Sequence, residues 1–251
     1  YRSGEDRGTL DELEPEIADE IEVVRGDLRD AESVAGATAG AEVVLHLAAL
    51  IAIPYSYINP RGYVETNVLG TLNVANAALA EGVERVVHTS TSEVYGTART
   101  VPITETHPLE PQSPYAASKL GADKLMDSFH RSYGLPVTVL RPFNTYGPRQ
   151  SRRAIVPTII TQALAGDRLR LGALEPRRDL TYVGDTVEGF IAAACADAAI
   201  GRTVQLGTGR DVSVGELVEV VGARLGRELE VELDPQRLRP PASEVMRLIS
   251  S

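Results

Sequence analysis

Cysteine is nearly missing from these 251 residues: Cys195 is the only one. A single thiol excludes a disulfide framework and any zinc site built from several thiolates, and it fits a reducing compartment. Cys195 lies in the Ala-rich stretch "IAAACADAA", whose helical pattern predicts packing, not nucleophilic chemistry. Basic runs are absent too, and the formal net charge is −10, so no nucleic-acid groove is expected. No stretch approaches the ~18 consecutive apolar residues of a membrane helix, and no secretory leader is visible. Together these absences make the cytoplasm the default expectation. No spacing of His, Asp or Glu marks a metal site. The chain opens at Tyr1 with no initiator Met and closes on "MRLISS" without a capping signal, so both ends read as cut.

What is present is a regular alternation. Apolar, strand-like runs at residues 21–24, 42–47, 83–88 and 137–140 are separated by helical patterns at 61–80 and 114–133. Gly134 and Pro136 stop the second helix. Strand-helix-strand repetition at this spacing predicts a doubly wound parallel sheet with helices on both faces. Ligands of such sheets bind outside the carboxyl ends of the strands. The unusual polar or small residues fall at those ends: Asp27, Ala48 with Ala49, the cluster from Thr89 to Glu93, and Asn144. Beyond about residue 147 the pattern loosens, with helices expected at 155–165 and 214–225 and short strands near 169–171 and 229–233. The expected division is a main domain of 1–146 plus about 182–207, and a smaller α/β lobe of about 147–181 plus 208–251.

Two stretches carry chemistry. In "SPYAASK", Tyr115 and Lys119 stand four apart, on one face of the helix expected there. A tyrosine titrating near ~10 is a poor base at neutral pH, and an adjacent ammonium favours its phenolate. The spacing alone is common in ordinary amphipathic helices. In "HTSTSEVYG" (88–96), a buried strand ends in hydroxyls and a carboxylate where Gly, Asn or Pro would turn the chain more simply. His46 and His88, on apolar strands, read as core histidines; His107 and His130 read as peripheral.

With "NVLGT" (67–71), "GDLRD" (26–30), "HLAA" (46–49), "RPFNTYGPRQ" (141–150) and "RRDLTYVGD" (177–185), these stretches resemble the extended short-chain dehydrogenase/reductase family over essentially the whole chain. Within it the resemblance is to NAD-dependent nucleotide-sugar epimerases and dehydratases. It implies a Rossmann-like domain whose first strand and glycine-rich loop do not appear in this sequence. Asp27 and Leu28 would then lie against the adenine of NAD, with NADP not excluded. Ala48 and Ala49 would lie under the pyrophosphate and ribose, with Asn67 and Ser90 also at the cofactor. Tyr115 and Lys119 would hold the nicotinamide ribose as well as act in catalysis. Helices 61–80 and 114–133 would pair into a homodimer interface.

The same resemblance implies roles at the sugar. Thr91 would bond O4, Tyr115 would take the O4 proton with Lys119 lowering its pKa, and Glu93 would remove the C5 proton for loss of water. Ser92 stands where many hexose 4,6-dehydratases carry an acid, which leaves its part open. GDP-mannose dehydratases share Thr-Ser-Glu, but UDP-glucuronate decarboxylases share "TSEVYG", so decarboxylation and 4-epimerisation stay as alternatives, as does a non-catalytic sugar-nucleotide-binding relative. Asn144, Arg178 and Arg239 match positions contacting the diphosphate or ribose, where guanidinium forks suit phosphate oxygens. Leu50 and Ile51 replace the polar residues usual after the two alanines. They would suit the methyl of an N-acetyl group, or would simply pack. The favoured reading is a 4,6-dehydratase acting on nucleotide-linked N-acetylglucosamine.

Overall fold

The computed structural model describes residues 8–251. Its early helices are short: α1 (Pro15–Ala18) and α2 (Ala31–Thr38), the latter capped by Asp30, which accepts from the amides of Glu32 and Ser33. Runs of β-branched residues extend into β1 (Val43–His46), β2 (Arg85–Thr89) and β3 (Val137–Pro142). These pair in parallel, Leu45 beside Val87 and Val87 beside Thr138. Parallel neighbours need crossovers, and here the crossovers are helical. Between β1 and β2 lie α3 (Ile53–Ile58), α4 (Pro60–Tyr63), a π-helical segment (Val64–Leu69) and α5 (Gly70–Glu81). Between β2 and β3 lies α6 (Pro114–Tyr133).

The α6 bounds coincide with the expected helix because its signals are local. Ser113 accepts from the Ala116 amide at the start, and Gly134 adopts φ 73° at the end. The helix expected at 61–80 is continuous but interrupted by the π segment, and α3 was not foreseen.

After β3 the chain makes β4 (Asn144–Tyr146), α7 (Ile155–Ala165), β5 (Arg168–Leu171) and β6 (Arg177–Tyr182). Next come α8 (Val183–Cys195) and β7 (Thr203–Leu206), which joins β3 to give the sheet order β1-β2-β3-β7. β8 (Asp211–Ser213), α9 (Val214–Leu225), β9 (Glu230–Leu233) and β10 (Arg247–Leu248) complete the chain. Val34, Val74, Ala78, Val86, Met126 and Phe129 fill one side of the main sheet, beneath α2, α5 and α6. Val87, Leu140, Phe190 and Ala193 fill the other, beneath α8. Helices therefore cover both faces, the doubly wound α/β arrangement expected. A separate apolar cluster of Ile159, Leu169, Leu171 and Val218 joins α7 and α9 to the β5–β9 pair. A third sheet pairs β6 with β4, β8 and β10.

Three expectations change. Residues 21–24, expected as a strand, have no regular structure, and Val23 and Val24 are exposed. A strand exists through its ladder, and among the described residues β1 is the outermost strand of the main sheet. Cys195 is exposed at the end of α8, not packed. His107 is buried, accepting from the Arg99 amide at 3.0 Å and pairing with the Pro108 carbonyl at 2.8 Å. Among the described residues no helix is long and apolar enough to cross a membrane.

Candidate active site

The site grows from the end of β2. Thr91 is extended (φ −158°, ψ 149°) and caps a 3₁₀ turn, Ser92–Tyr95, its Oγ1 accepting from the Glu93 amide at 3.3 Å. Gly96 closes the turn at φ 65°, where a Cβ would collide with the Glu110 carbonyl. The turn buries Thr91, Ser92 and Glu93 together. Against it stands α6 with Tyr115 and Lys119 one turn apart, both buried. Tyr63 meets the Tyr115 ring edge-on, with centroids 6.3 Å apart.

Burial dominates the electrostatics. It pushes the Tyr115 phenol up to about 12; a hydrogen bond with Thr91 works the other way, while the Glu93 and Asp123 charges add to the rise. Burial also pulls the Lys119 ammonium down to about 8, opposed by Asp123. In the protein alone the direction of the Tyr115 shift is set by desolvation of the phenolate, not by the lowering expected from Lys119.

Glu93 is paired with an arginine far away in sequence. Arg239 Nη1 lies 3.3 Å from Glu93 Oε2, and Nη2 lies 3.4 Å from Oε1. Glu244 stands between two guanidiniums, 3.9 Å from Arg178 Nη2 and 4.0 Å from Arg239 Nε. The segment carrying Arg239 is held by Ser243, whose hydroxyl donates to the Gln112 carbonyl at 2.6 Å and accepts from Tyr57. Arg178 and Arg239 thus gather beside Glu93, whereas Asn144 sits exposed at the start of β4.

Among the residues expected at the cofactor, Asp27 accepts from the Arg29 amide at 2.9 Å, a turn of the Asx kind. With Arg29, Asp30, Glu65 and Leu69 it lines a cavity of about 460 Å³. Leu28 packs under Gly70, and its carbonyl accepts from Asn73 at 2.8 Å. Ala48 is exposed and Ala49 half-buried just after β1. Asn67 and Ser90, expected at the cofactor, commit their side chains to the protein. Asn67 accepts from the Leu50 amide at 2.8 Å and donates to the Leu50 carbonyl and the Ser118 hydroxyl, both at 2.9 Å. It ties the segment after β1 to α6. The Ser90 hydroxyl donates to Asp123 at 2.6 Å. Leu50 is half-buried and Ile51 is 67% exposed, so Ile51 does not pack the core. His46 and His88 are buried core histidines, as expected. Sequence reasoning missed Asp123, Ser243 and Glu244; for Asp123 the signal was its place four residues after Lys119.

The family described as GDP-mannose 4,6 dehydratase matches residues 1–247. The chain belongs to the NAD-dependent epimerase/dehydratase family of extended short-chain dehydrogenases. It is 36% identical to the UDP-glucose 4-epimerase of Mycolicibacterium smegmatis over 230 residues, 89% of this chain and 73% of that protein. It is 37% identical to a dTDP-glucose 4,6-dehydratase of an Actinoplanes species over 216 residues, 85% of this chain and 67% of that protein. The crystal structure of DesIV, a dTDP-glucose 4,6-dehydratase from Streptomyces venezuelae with NAD bound, superposes with a TM-score of 0.81. That match has 33% identity and covers 90% of this chain and 69% of that one. This epimerase/dehydratase chain is accordingly an enzyme of nucleotide-sugar chemistry.

Proposed function

We propose that this chain is the core of a nucleotide-sugar 4,6-dehydratase that uses NAD and acts on a nucleotide-linked N-acetylglucosamine. The observation that carries this reading is the burial of Glu93 on the same short turn as Thr91, packed against the helix that bears Tyr115 and Lys119. A 4-epimerase needs no base at C5; elimination of water across C5 and C6 does.

NAD, when bound, would supply the reversible hydride acceptor that oxidation at C4 and reduction at C6 require. The residues present fit it in part: the Asp27 carboxylate beside the 460 Å³ cavity suits adenosine, and a phenol with an ammonium one turn away suits a ribose diol. Leu28, Ala48 and Ala49 would complete that side. Thr91 orients O4 and Tyr115 accepts its proton. Burial holds the phenol near 12, and the Lys119 ammonium one helical turn away is the positive charge that would favour its phenolate. Glu93 then takes the C5 proton, acidic because it lies alpha to the new ketone, and delivers it to O6 as water leaves. When hydride returns at C6, C5 regains a proton on the Glu93 side, matching the one Tyr115 took from O4. Ser92, buried between them, cannot ionise and leaves both transfers to Glu93. Arg178 and Arg239 supply two guanidiniums for the diphosphate, with Asn144 nearer its ribose. Leu50 and the exposed Ile51 form an apolar wall for the N-acetyl methyl. Exposed Val64 and Leu69 on the helix of residues 60–81 support a homodimer through that helix and α6.

Product mass after incubation with UDP-N-acetylglucosamine and with UDP-glucuronate tests the reading. Loss of water from the first supports it. Loss of carbon dioxide from the second makes the enzyme a decarboxylase, and unchanged mass with an inverted C4 makes it an epimerase, the activity named for the M. smegmatis relative. Glu93→Gln is expected to slow elimination by ~10²–10⁴ while bound nicotinamide is still reduced by the sugar. Full dehydration in that variant would sink the assignment.

A further inference from the structure

The helix of Tyr115 and Lys119 carries a third titratable residue in step with the first two. Tyr115, Lys119 and Asp123 recur at four-residue intervals and so share one face of α6. The mechanism above makes no use of Asp123, yet its carboxylate is a hub. It accepts from the Ser90 hydroxyl at 2.6 Å and from Arg141 Nη2 at 3.0 Å and Nε at 3.3 Å, and it meets His88 Nε2 at 3.2 Å. His88 Nδ1 is buried without a partner, which assigns the ring proton to Nε2, donated to Asp123. Burial holds the His88 pKa below its usual value, so that ring is neutral.

The donors come from two strands. His88 and Ser90 belong to β2 and its end, and Arg141 belongs to β3. One carboxylate therefore ties the helix bearing Tyr115 to the strand end that releases Thr91. Taking an ion pair out of water is costly, and apolar residues of similar volume often pack as well or better. Packing alone gives no reason for a carboxylate at this position.

Its neighbour supplies a reason. The groups coupled to buried Lys119 are Asp123 on its own helix, His46 from β1 and His88 from β2, with Tyr115 one turn before it on α6. Burial and Lys119 itself hold both histidines neutral, and Glu93 is engaged by Arg239. Asp123 is the carboxylate whose charge supports the ammonium.

We propose that Asp123 is a positioning residue of the reaction centre: it fixes the Ser90–Thr91 strand end against the catalytic helix and supplies the buried negative charge that keeps Lys119 an ammonium. Its kinetic consequence rests on the dehydratase reading; its effect on Lys119 does not.

Lys119 and Lys124 are the only lysines in the chain. Lysine labelled with ¹³C at Cε therefore gives two NMR signals, the exposed Lys124 serving as reference. Asp123→Asn is expected to lower the Lys119 midpoint by about 1 pH unit or more. Arg141→Gln removes the competing cation and is expected to raise it. A merely structural lesion would move both variants the same way. An unmoved midpoint in Asp123→Asn, or movement of both in one direction, overturns the proposal. Should Asp123→Asn not fold, Arg141→Gln decides alone: a rise supports the proposal, and no change or a fall refutes it. In the NAD-loaded enzyme, kcat of Asp123→Asn is expected to fall several-fold at pH 8 and recover as the pH is lowered, with KM within about twofold. An equal loss at every pH counts against the charge role. If the wild type turns over no nucleotide sugar, the dehydratase reading fails and the titration still decides the role of Asp123.

Discussion

Replacing Lys119 by methionine, close to it in shape but uncharged, is expected to stabilise the chain while ending its chemistry. Burial lowers the Lys119 midpoint from the ordinary 10.5 to about 8, even with Asp123 opposing. At ~1.4 kcal/mol per pH unit, keeping that ammonium inside the folded protein costs about 3 kcal/mol. Between pH 8 and 10.5 the unfolded chain holds a proton that the folded chain has shed, so wild-type stability rises with pH across that window. Below pH 8 the full cost remains, and above 10.5 it is gone. Lys119→Met should therefore exceed the wild type by up to about 3 kcal/mol at pH 7 and by only about 1 kcal/mol at pH 9.5. Urea unfolding at the two pH values, followed by far-UV circular dichroism because the chain has no tryptophan, measures both margins. A margin independent of pH, or a variant less stable than the wild type at pH 7, would refute the reasoning.

Other perturbations test other parts of the site. Gly96→Ala places a Cβ against the Glu110 carbonyl at a positive φ, and a loss of about 2–4 kcal/mol is expected in urea unfolding; a neutral result would mean that the turn after Glu93 can rebuild. Ser113→Ala removes the α6 cap and should cost about 1 kcal/mol, read as a lower unfolding midpoint. Arg239→Ala should raise KM for the nucleotide sugar about 10–100-fold, the size of a lost charge-assisted contact. An unchanged KM in steady-state kinetics would remove Arg239 from the diphosphate.

Features with local causes were legible in the sequence. The α6 helix announced both ends through Ser113 and Gly134, and β1, β2 and β3 announced themselves through β-branched runs, whereas β7 did not. The 21–24 run was misread because a strand is made by its neighbours, not by its own residues. The pairing of Glu93 with Arg239 joins positions 146 apart, which no spacing rule reaches. Electrostatics were misread for a related reason. The sequence shows that an ammonium stands near a phenol, but the depth at which both are buried decides which way each titrates. Asn67 illustrates the same limit, since its motif marked it as significant and only the fold shows that it clamps Leu50 to Ser118.

The π-helical segment at Val64–Leu69 has a consequence for how this chain tolerates change in length. Such a segment spends one residue more than an α-helix over the same path. Deleting a single residue there would leave an ordinary α-helix over the same path, with the faces of the flanking turns, residues 60–63 and 70–81, still in step. What would be lost is the local widening at which Asn67 reaches Leu50 and Ser118. Six residues that look like plain helix in sequence are thus a stretch that can lose one residue without turning the helix on either side of it.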